Sequence, residues 1–85
     1  MSFYTYIIYS EKCDKYYVGH TDSISKRLEE HNIGKGGQFS SNCRPWNLVY
    51  SEQFSSRSDA MKREREIKSK KSRKYIEWLI QRSRR

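Results

Sequence analysis

The stretch from Phe3 to Gly19 constrains the fold more than any other part of this chain. Residues 3–9, Phe-Tyr-Thr-Tyr-Ile-Ile-Tyr, are all β-branched or aromatic, and residues 15–19, Lys-Tyr-Tyr-Val-Gly, largely repeat that chemistry. Such side chains fit a pleated, half-buried surface better than a helix. The residues between, Ser10-Glu11-Lys12-Cys13-Asp14, are polar and turn-like. So short a connection joins antiparallel neighbours, and the pattern predicts a hairpin with Tyr6 and Tyr17 on adjacent strands.

Helix signals follow. Asp22 or Ser23 can cap a first helix, and Asn32 and Gly34 suit its end. Residues 34–45 hold three of the four glycines and the only proline, so a mobile loop is expected there. Residues 46–54, Trp-Asn-Leu-Val-Tyr-Ser-Glu-Gln-Phe, read as a third strand. Ser56 and Asp59 resemble a capping box that opens a second helix reaching about Lys70. Ser72 can cap a third helix, on which Ile76, Leu79 and Ile80 form an apolar stripe. Arg82-Ser83-Arg84-Arg85 reads as a frayed basic tail. The order β-β-α-β-α-α predicts the α/β (α+β) class, with a small three-stranded antiparallel sheet flanked by helices.

With 85 residues, one domain over residues 1–81 with a tail over 82–85 is the expectation. A core this small is thin, but 14% aromatic residues bury a large area each, which argues against disorder despite 33% charged residues. No apolar run could span a bilayer and no charged-then-apolar leader opens the chain, so a cytoplasmic, non-membrane protein is expected. Cys13 and Cys43 form no C-x-x-C, and in the cytosol both read as free thiols. A zinc site from Cys13, His20, His31 and Cys43 matches no usual spacing. Gly34-Lys35-Gly36-Gly37 opens no helix, so no P-loop or dinucleotide fingerprint is present, and no small-molecule cofactor is expected.

Charge is unevenly placed. Residues 1–56 carry six basic and six acidic side chains, and residues 57–85 carry twelve and four, so the whole +8 excess lies in the last third. A polyanion, most simply nucleic acid, is the natural partner, while a merely solubilising basic helix is the plainer alternative. Lys68, Lys70, Lys71, Arg73 and Lys74 are the candidate phosphate contacts. Trp46 and Trp78 could stack on bases but read better as core.

Two helices carry polar residues on inward faces. On the first, Ile24, Arg27, Leu28 and His31 share one stripe. Arg27 with His31 one turn on suits a phosphate site, since guanidinium grips phosphate with two hydrogen bonds. Alternatively, both lie at the stripe's edge and reach water. On the second, Glu64 sits among Ala60, Met61 and Ile67. An inward carboxylate needs a cation: a structural pair with Arg27, or a metal such as Mg²⁺ that prefers oxygen ligands.

These residues resemble a known family. Tyr17-Val18-Gly19 looks like the second half of the GIY-YIG nuclease signature, and Tyr4-Thr5-Tyr6 sits where the first half belongs, with Tyr4 in place of its glycine. Arg27 and His31 on the next helix and Glu64 after the third strand match the family's order. The similarity covers roughly residues 3–80 and is strongest to small stand-alone bacterial members that are similar to the nuclease domain of the bacterial excinuclease. The resemblance implies a metal-dependent DNA endonuclease, structure-specific and linked to repair or recombination. Within it, Tyr6 and Tyr17 would position or deprotonate water, Arg27 would hold the scissile phosphate, and His31 would sit beside it. His20 would be a further active-site residue, and Glu64 would bind one Mg²⁺ or Mn²⁺. A free tyrosine, with pKa about 10, needs cations nearby to act as base, and His31 or His20 is the alternative. The competing readings are a nucleic-acid-binding module that keeps the fold without activity, and a protein-interaction module whose basic helix docks an acidic partner.

Overall fold

A computed structural model describes residues 2–34 and 42–83. Its elements are β1 (Phe3–Ser10), β2 (Lys15–Thr21), α1 (Ile24–Asn32), β3 (Trp46–Phe54), α2 (Arg57–Ser69) and α3 (Arg73–Ser83). The three strands form one antiparallel sheet in the order β2-β1-β3, so β1 is central and β2 is an edge. This is the expected order and class.

The caps explain where the helices begin. Ser23 Oγ accepts from the Lys26 amide (3.4 Å), Ser56 Oγ from the Asp59 amide (3.2 Å) and Ser72 Oγ from the Tyr75 amide (3.1 Å). Each satisfies one amide that the first turn leaves without a helical partner. Between α2 and α3, Lys71 adopts a left-handed backbone (φ 47°), which breaks the helix and turns the chain. α3 continues through Ser83, so Arg82 and Ser83 are helical rather than frayed. Arg84 and Arg85, and most of the loop expected over 34–45, lie outside the described residues.

The sheet has apolar packing on both faces because β1 alternates with period two. Tyr6 and Ile8 face α1 and pack with Trp46 and Cys43, and Ile24, Leu28 and Tyr17 close that side. Ile7 faces the other way and packs with Val18, Ile67 and Leu79, covered by Tyr75 and Ile76. Thr5, fully buried, donates to the Ala60 carbonyl (2.7 Å) and pins α2 to the sheet.

Three expectations are corrected. Cys13 and Cys43 are joined in a disulfide, their Cα atoms 5.4 Å apart, and are not free thiols. The fold brings the β1–β2 turn against the start of β3, a proximity across 30 residues that local spacing does not encode. Trp46 is core, but Trp78 is 50% exposed, because it flanks rather than joins the Leu79–Ile80 stripe. Met61, read on the inward stripe of α2, is exposed, while Ala60 and Ile67 of that stripe are buried.

Candidate active site at the edge of the sheet

Gly19 sits opposite Tyr6 in the β1–β2 register. The Tyr6 ring lies across it so closely that a Cβ on residue 19 would fall 2.6 Å from the Tyr6 hydroxyl and 2.8 Å from Cζ. Gly19 is therefore the gap through which the buried Tyr6 ring runs along the sheet toward its edge. Its partner on the same face is Tyr17, stacked at 6.5 Å between ring centroids.

α1 brings up the other side. His31 is fully buried, with its ring 4.8 Å from that of Tyr17 and 6.4 Å from that of Tyr6. Its Nε2 lies 3.3 Å from the Tyr6 hydroxyl, and Nδ1 has no partner among the described residues. Arg27, one turn earlier, donates to Glu30 (3.1 Å) and lies against the hydroxyls of both tyrosines. Asn32 fixes the end of the helix. Its carboxamide donates to the Trp46 carbonyl (3.1 Å) and accepts from the Trp46 amide (2.6 Å), which ties α1 to β3.

Glu64 approaches from α2, on the opposite face, around the free edge of β2. One oxygen lies 2.5 Å from His20 Nδ1 and the other accepts from Lys68 Nζ at 2.7 Å. His20 and Lys68 are its partners, so the Glu64–Arg27 pair does not form: the sheet separates the two helices. A recess of about 250 Å³ opens beside the carboxylate, lined by His20, Met61, Glu64, Arg65 and Lys68. The two halves communicate electrostatically, since the Glu64 charge acts on the Tyr6 hydroxyl.

The local fields set the protonation states. Burial pushes Tyr6 up to about 12, and the opposing hydrogen bond and charge of Arg27 do not offset it. Tyr6 is therefore a neutral phenol at physiological pH. His31 is held below its ordinary range by burial first and by the Arg27 charge second, so it is a neutral imidazole. Burial works to raise Glu64, but the hydrogen bonds from Lys68 and His20 outweigh it and keep the carboxyl below its ordinary range. The site thus offers the Arg27 guanidinium on one side, the Glu64 carboxylate with Lys68 on the other, and two neutral proton carriers.

All six site residues read from the sequence, Tyr6, Tyr17, His20, Arg27, His31 and Glu64, gather around β2. Of the five basic candidates, Lys68 pairs with Glu64 and Arg73 with Asp14 (2.6 Å) and Glu77 (3.1 Å). Lys70 lies over the Tyr75 ring at 5.6 Å, while Lys71 and Lys74 are exposed. Lys68, read from the sequence as a phosphate contact, is also the i,i+4 partner of Glu64. Sequence reasoning missed Arg65, which lines the Glu64 recess, and it missed the tie from Asn32 to β3, because that partner comes from the packing of α1 on β3.

No group of three or more His, Cys, Asp or Glu side chains that could hold a metal ion occurs among the described residues. Glu64 alone still fits a hard cation such as Mg²⁺, which keeps most of its waters and is commonly held by one or two carboxylates plus substrate phosphate oxygens. A zinc site from Cys13, His20, His31 and Cys43 does not form. Both cysteines are in the disulfide, and His20 and His31 lie on opposite faces of the sheet.

Several known proteins resemble this chain in sequence and fold. The sequence profile of the GIY-YIG catalytic domain matches residues 2–76. A UPF0213 protein of Staphylococcus haemolyticus is 46% identical over 68 residues, covering 78% of this chain and 79% of that protein. One from Staphylococcus aureus is 34% identical over 80 residues, 92% and 98% of the two chains. Among solved structures, the solution NMR structure of a UPF0213 protein from Bacillus halodurans superposes with a TM-score of 0.59 at 32% identity, covering 95% of this chain and 84% of that one.

Proposed function

The chain belongs to the GIY-YIG catalytic domain family, a family of nucleases, and on that premise we propose that it is a DNA endonuclease that hydrolyses phosphodiester bonds with one divalent cation held by Glu64. The observation that carries this reading is the convergence of Tyr6, Tyr17, Arg27, His31 and Glu64 from four elements around a strand whose Gly19 exists to let Tyr6 pass. Core packing alone gives no reason to aim an arginine at two phenols.

In this reading Arg27 binds the scissile phosphate, and its fixed charge stabilises the charge that builds on the phosphoryl oxygens. Magnesium or manganese on Glu64 would supply a Lewis acid for the phosphate and the departing oxygen. Attack by water forms one P–O bond as the ester P–O bond breaks, and the attacking water loses a proton. Tyr6, with its pKa pushed to about 12, does not hold that role alone. We assign it jointly to the Tyr6–His31 pair: as the phenol gives its proton to the neutral imidazole Nε2, 3.3 Å away, its oxygen takes one from water. Tyr17 orients the water from the other side. His20 holds Glu64 in place, and Lys68 and Arg65 add positive charge at the recess.

DNA is the proposed substrate, with branched, flapped or damaged structures of repair and recombination the natural candidates for so small a domain. The cytoplasm is the matching location; there the Cys13–Cys43 bridge would face a reducing pool. No described helix is long and apolar enough to cross a membrane.

The test is cleavage of labelled duplex, single-stranded, flapped and four-way-junction DNA with Mg²⁺ or Mn²⁺, against EDTA and Glu64→Gln. Cutting that needs the ion and is lost in Glu64→Gln supports the proposal. Binding without cutting of any substrate refutes it. That outcome would favour a catalytically silent DNA-binding module, a reading supported by one observation: both Glu64 oxygens already have partners within the protein.

A further inference from the structure

A groove of about 430 Å³ runs along the free edge of β2, between that strand and the joint of α2 with α3. Val18, Ile67 and Ile76 give it an apolar floor, and its rim carries Lys15, Lys68, Lys71 and Arg73 with one carboxylate, Asp14, which Arg73 neutralises. We propose that this groove seats one unstacked nucleotide of a single-stranded segment beside the cleavage site, with its base on the apolar floor and its phosphates on Lys68 and Lys71. The assignment rests on the nuclease reading and adds the kind of substrate strand the site takes.

The composition of the groove fits few other ligands. A site for phosphate alone needs no apolar floor, and an apolar ligand needs no rim of cations. A nucleotide has both, a flat base that loses little on leaving water and an anionic backbone that gains from lysine. The volume lies within the roughly 300–1,000 Å³ typical of small-ligand pockets. A base stacked and paired within a duplex cannot enter a groove of this kind, so the strand must be single or locally unpaired.

Position supports the same occupant. Lys68 lines both the groove and the Glu64 recess, and Tyr17 belongs to both the groove and the catalytic cluster. A strand whose phosphate reaches Arg27 and Glu64 therefore continues into the groove. The rim is held in place. Arg73 is clamped by Asp14 and Glu77 and lies 5.2 Å from the centre of the Tyr16 ring. Lys71 is exposed and forms no ion pair with a carboxylate among the described residues, so its charge is available to a ligand. β2 is also an edge strand, and its outward amides can donate to a phosphate.

The experiment is an NMR titration of the ¹⁵N-labelled chain, without metal so that nothing is cut, using a short oligothymidylate, the matching duplex and inorganic polyphosphate. The expected result is that oligothymidylate shifts Tyr16, Val18, Lys71 and Ile76, that duplex leaves Val18 and Ile76 unmoved, and that polyphosphate shifts only the rim and binds more weakly. Lys71→Gly, which suits a positive φ, and Ile76→Trp, which fills the floor, should each weaken oligothymidylate binding about five- to tenfold. Shifts centred elsewhere, such as around Trp78, or polyphosphate reproducing the oligothymidylate pattern and affinity, overturn the proposal even if Ile76→Trp fails to fold. The two readings fail separately. Glu64-dependent cutting without groove shifts leaves the nuclease and removes the groove, and groove shifts without cutting of any DNA do the reverse.

Discussion

Gly19→Ala is the substitution whose consequence follows most directly from the structure. Gly19 does not have a positive φ, so alanine is conformationally acceptable there. Without a clash, the loss of chain entropy in the unfolded state would stabilise the protein by about 0.4–1 kcal/mol. The clash reverses the sign. The new methyl would sit 2.6 Å from the Tyr6 hydroxyl, where ordinary contact begins at 3.4 Å, so the hydroxyl must retreat by 3.4 − 2.6 = 0.8 Å. Tyr6 is 2% exposed and wedged among Ile8, Cys43 and Trp46, so the ring cannot swing aside freely. Overpacking of this kind costs about 1–3 kcal/mol, leaving a net loss of about 1–2 kcal/mol after the entropy gain. For a domain of this size the melting temperature should fall by roughly 5–15 °C. On the proposed mechanism, in which Tyr6 moves a proton, a displacement of that order can reduce turnover about a hundredfold, so cleavage should fall further than stability explains. The assay is a double-mutant cycle by urea denaturation with Tyr6→Leu, which removes both atoms that the methyl meets first. The Gly19→Ala cost should shrink by at least about 1 kcal/mol in the Tyr6→Leu background. An equal cost in both backgrounds, or a stabilised single variant, would refute the contact as the reason for glycine.

Reducing the Cys13–Cys43 bridge releases a loop of 30 residues, which by chain entropy should cost about 3–4 kcal/mol and lower the melting temperature by more than about 10 °C; two thiols that titrate in the native protein without reductant would contradict the bridge itself. Burial keeps the folded pKa of His31 below its unfolded value near 6.5, so its contribution is complete above about pH 6.5 and is lost as pH falls toward the folded value, at no more than about 1.4 kcal/mol per pH unit. Glu64 has a folded pKa lowered from 4.5, so its contribution is present above that value and lost as pH drops below it. His31→Gln should therefore flatten only the upper part of the acid-denaturation profile and Glu64→Gln only the lower part; one profile unchanged by both substitutions would show that other groups dominate. Trp46→Ala should cost about 3–5 kcal/mol and Trp78→Ala about 1 kcal/mol, measured by urea denaturation, because the first indole is enclosed and the second only rests between Tyr75 and Arg82. Equal costs would mean that Trp78 is covered in solution.

The strands, the helix starts and the polar intrusions into apolar stripes are legible in the sequence because each is a local pattern. Ser23, Ser56 and Ser72 cap as their neighbours require, and β1 alternates as its residues dictate. Arg27 and His31 stand out on α1 because only Ile24 and Leu28 share their face. What stays hidden depends on pairing between distant segments. Glu64 finds His20 across 44 residues only because the register puts His20 on the α2 face of β2. The Arg27 alternative fails for the same reason, since helix periodicity says that a carboxylate points inward but not toward which face of the sheet. The disulfide escapes a reading by compartment and spacing because the approach of the β1–β2 turn to β3 decides it. Trp78 is misplaced by the pattern because a single residue beside an apolar stripe can fall on either side of its boundary.

The placement of the site at a sheet edge resolves a conflict between stability and chemistry. A thin core needs both sheet faces covered, which leaves no open face on which to assemble an acid, a cation and two phenols. A sheet edge is where groups from both layers can meet without crossing the sheet, and here the edge used is that of β2. Tyr6 and His31 reach it from within the α1 layer, and Glu64 reaches it from the α2 layer. Gly19 supplies the missing volume between them. The cost is an unpaired strand edge, which proteins usually blunt with charge. Here Lys15, Lys68 and Lys71 stand along it. On the proposed function, the same lysines that discourage another strand from pairing with β2 would attract a nucleic-acid strand, so one set of charges would serve both ends.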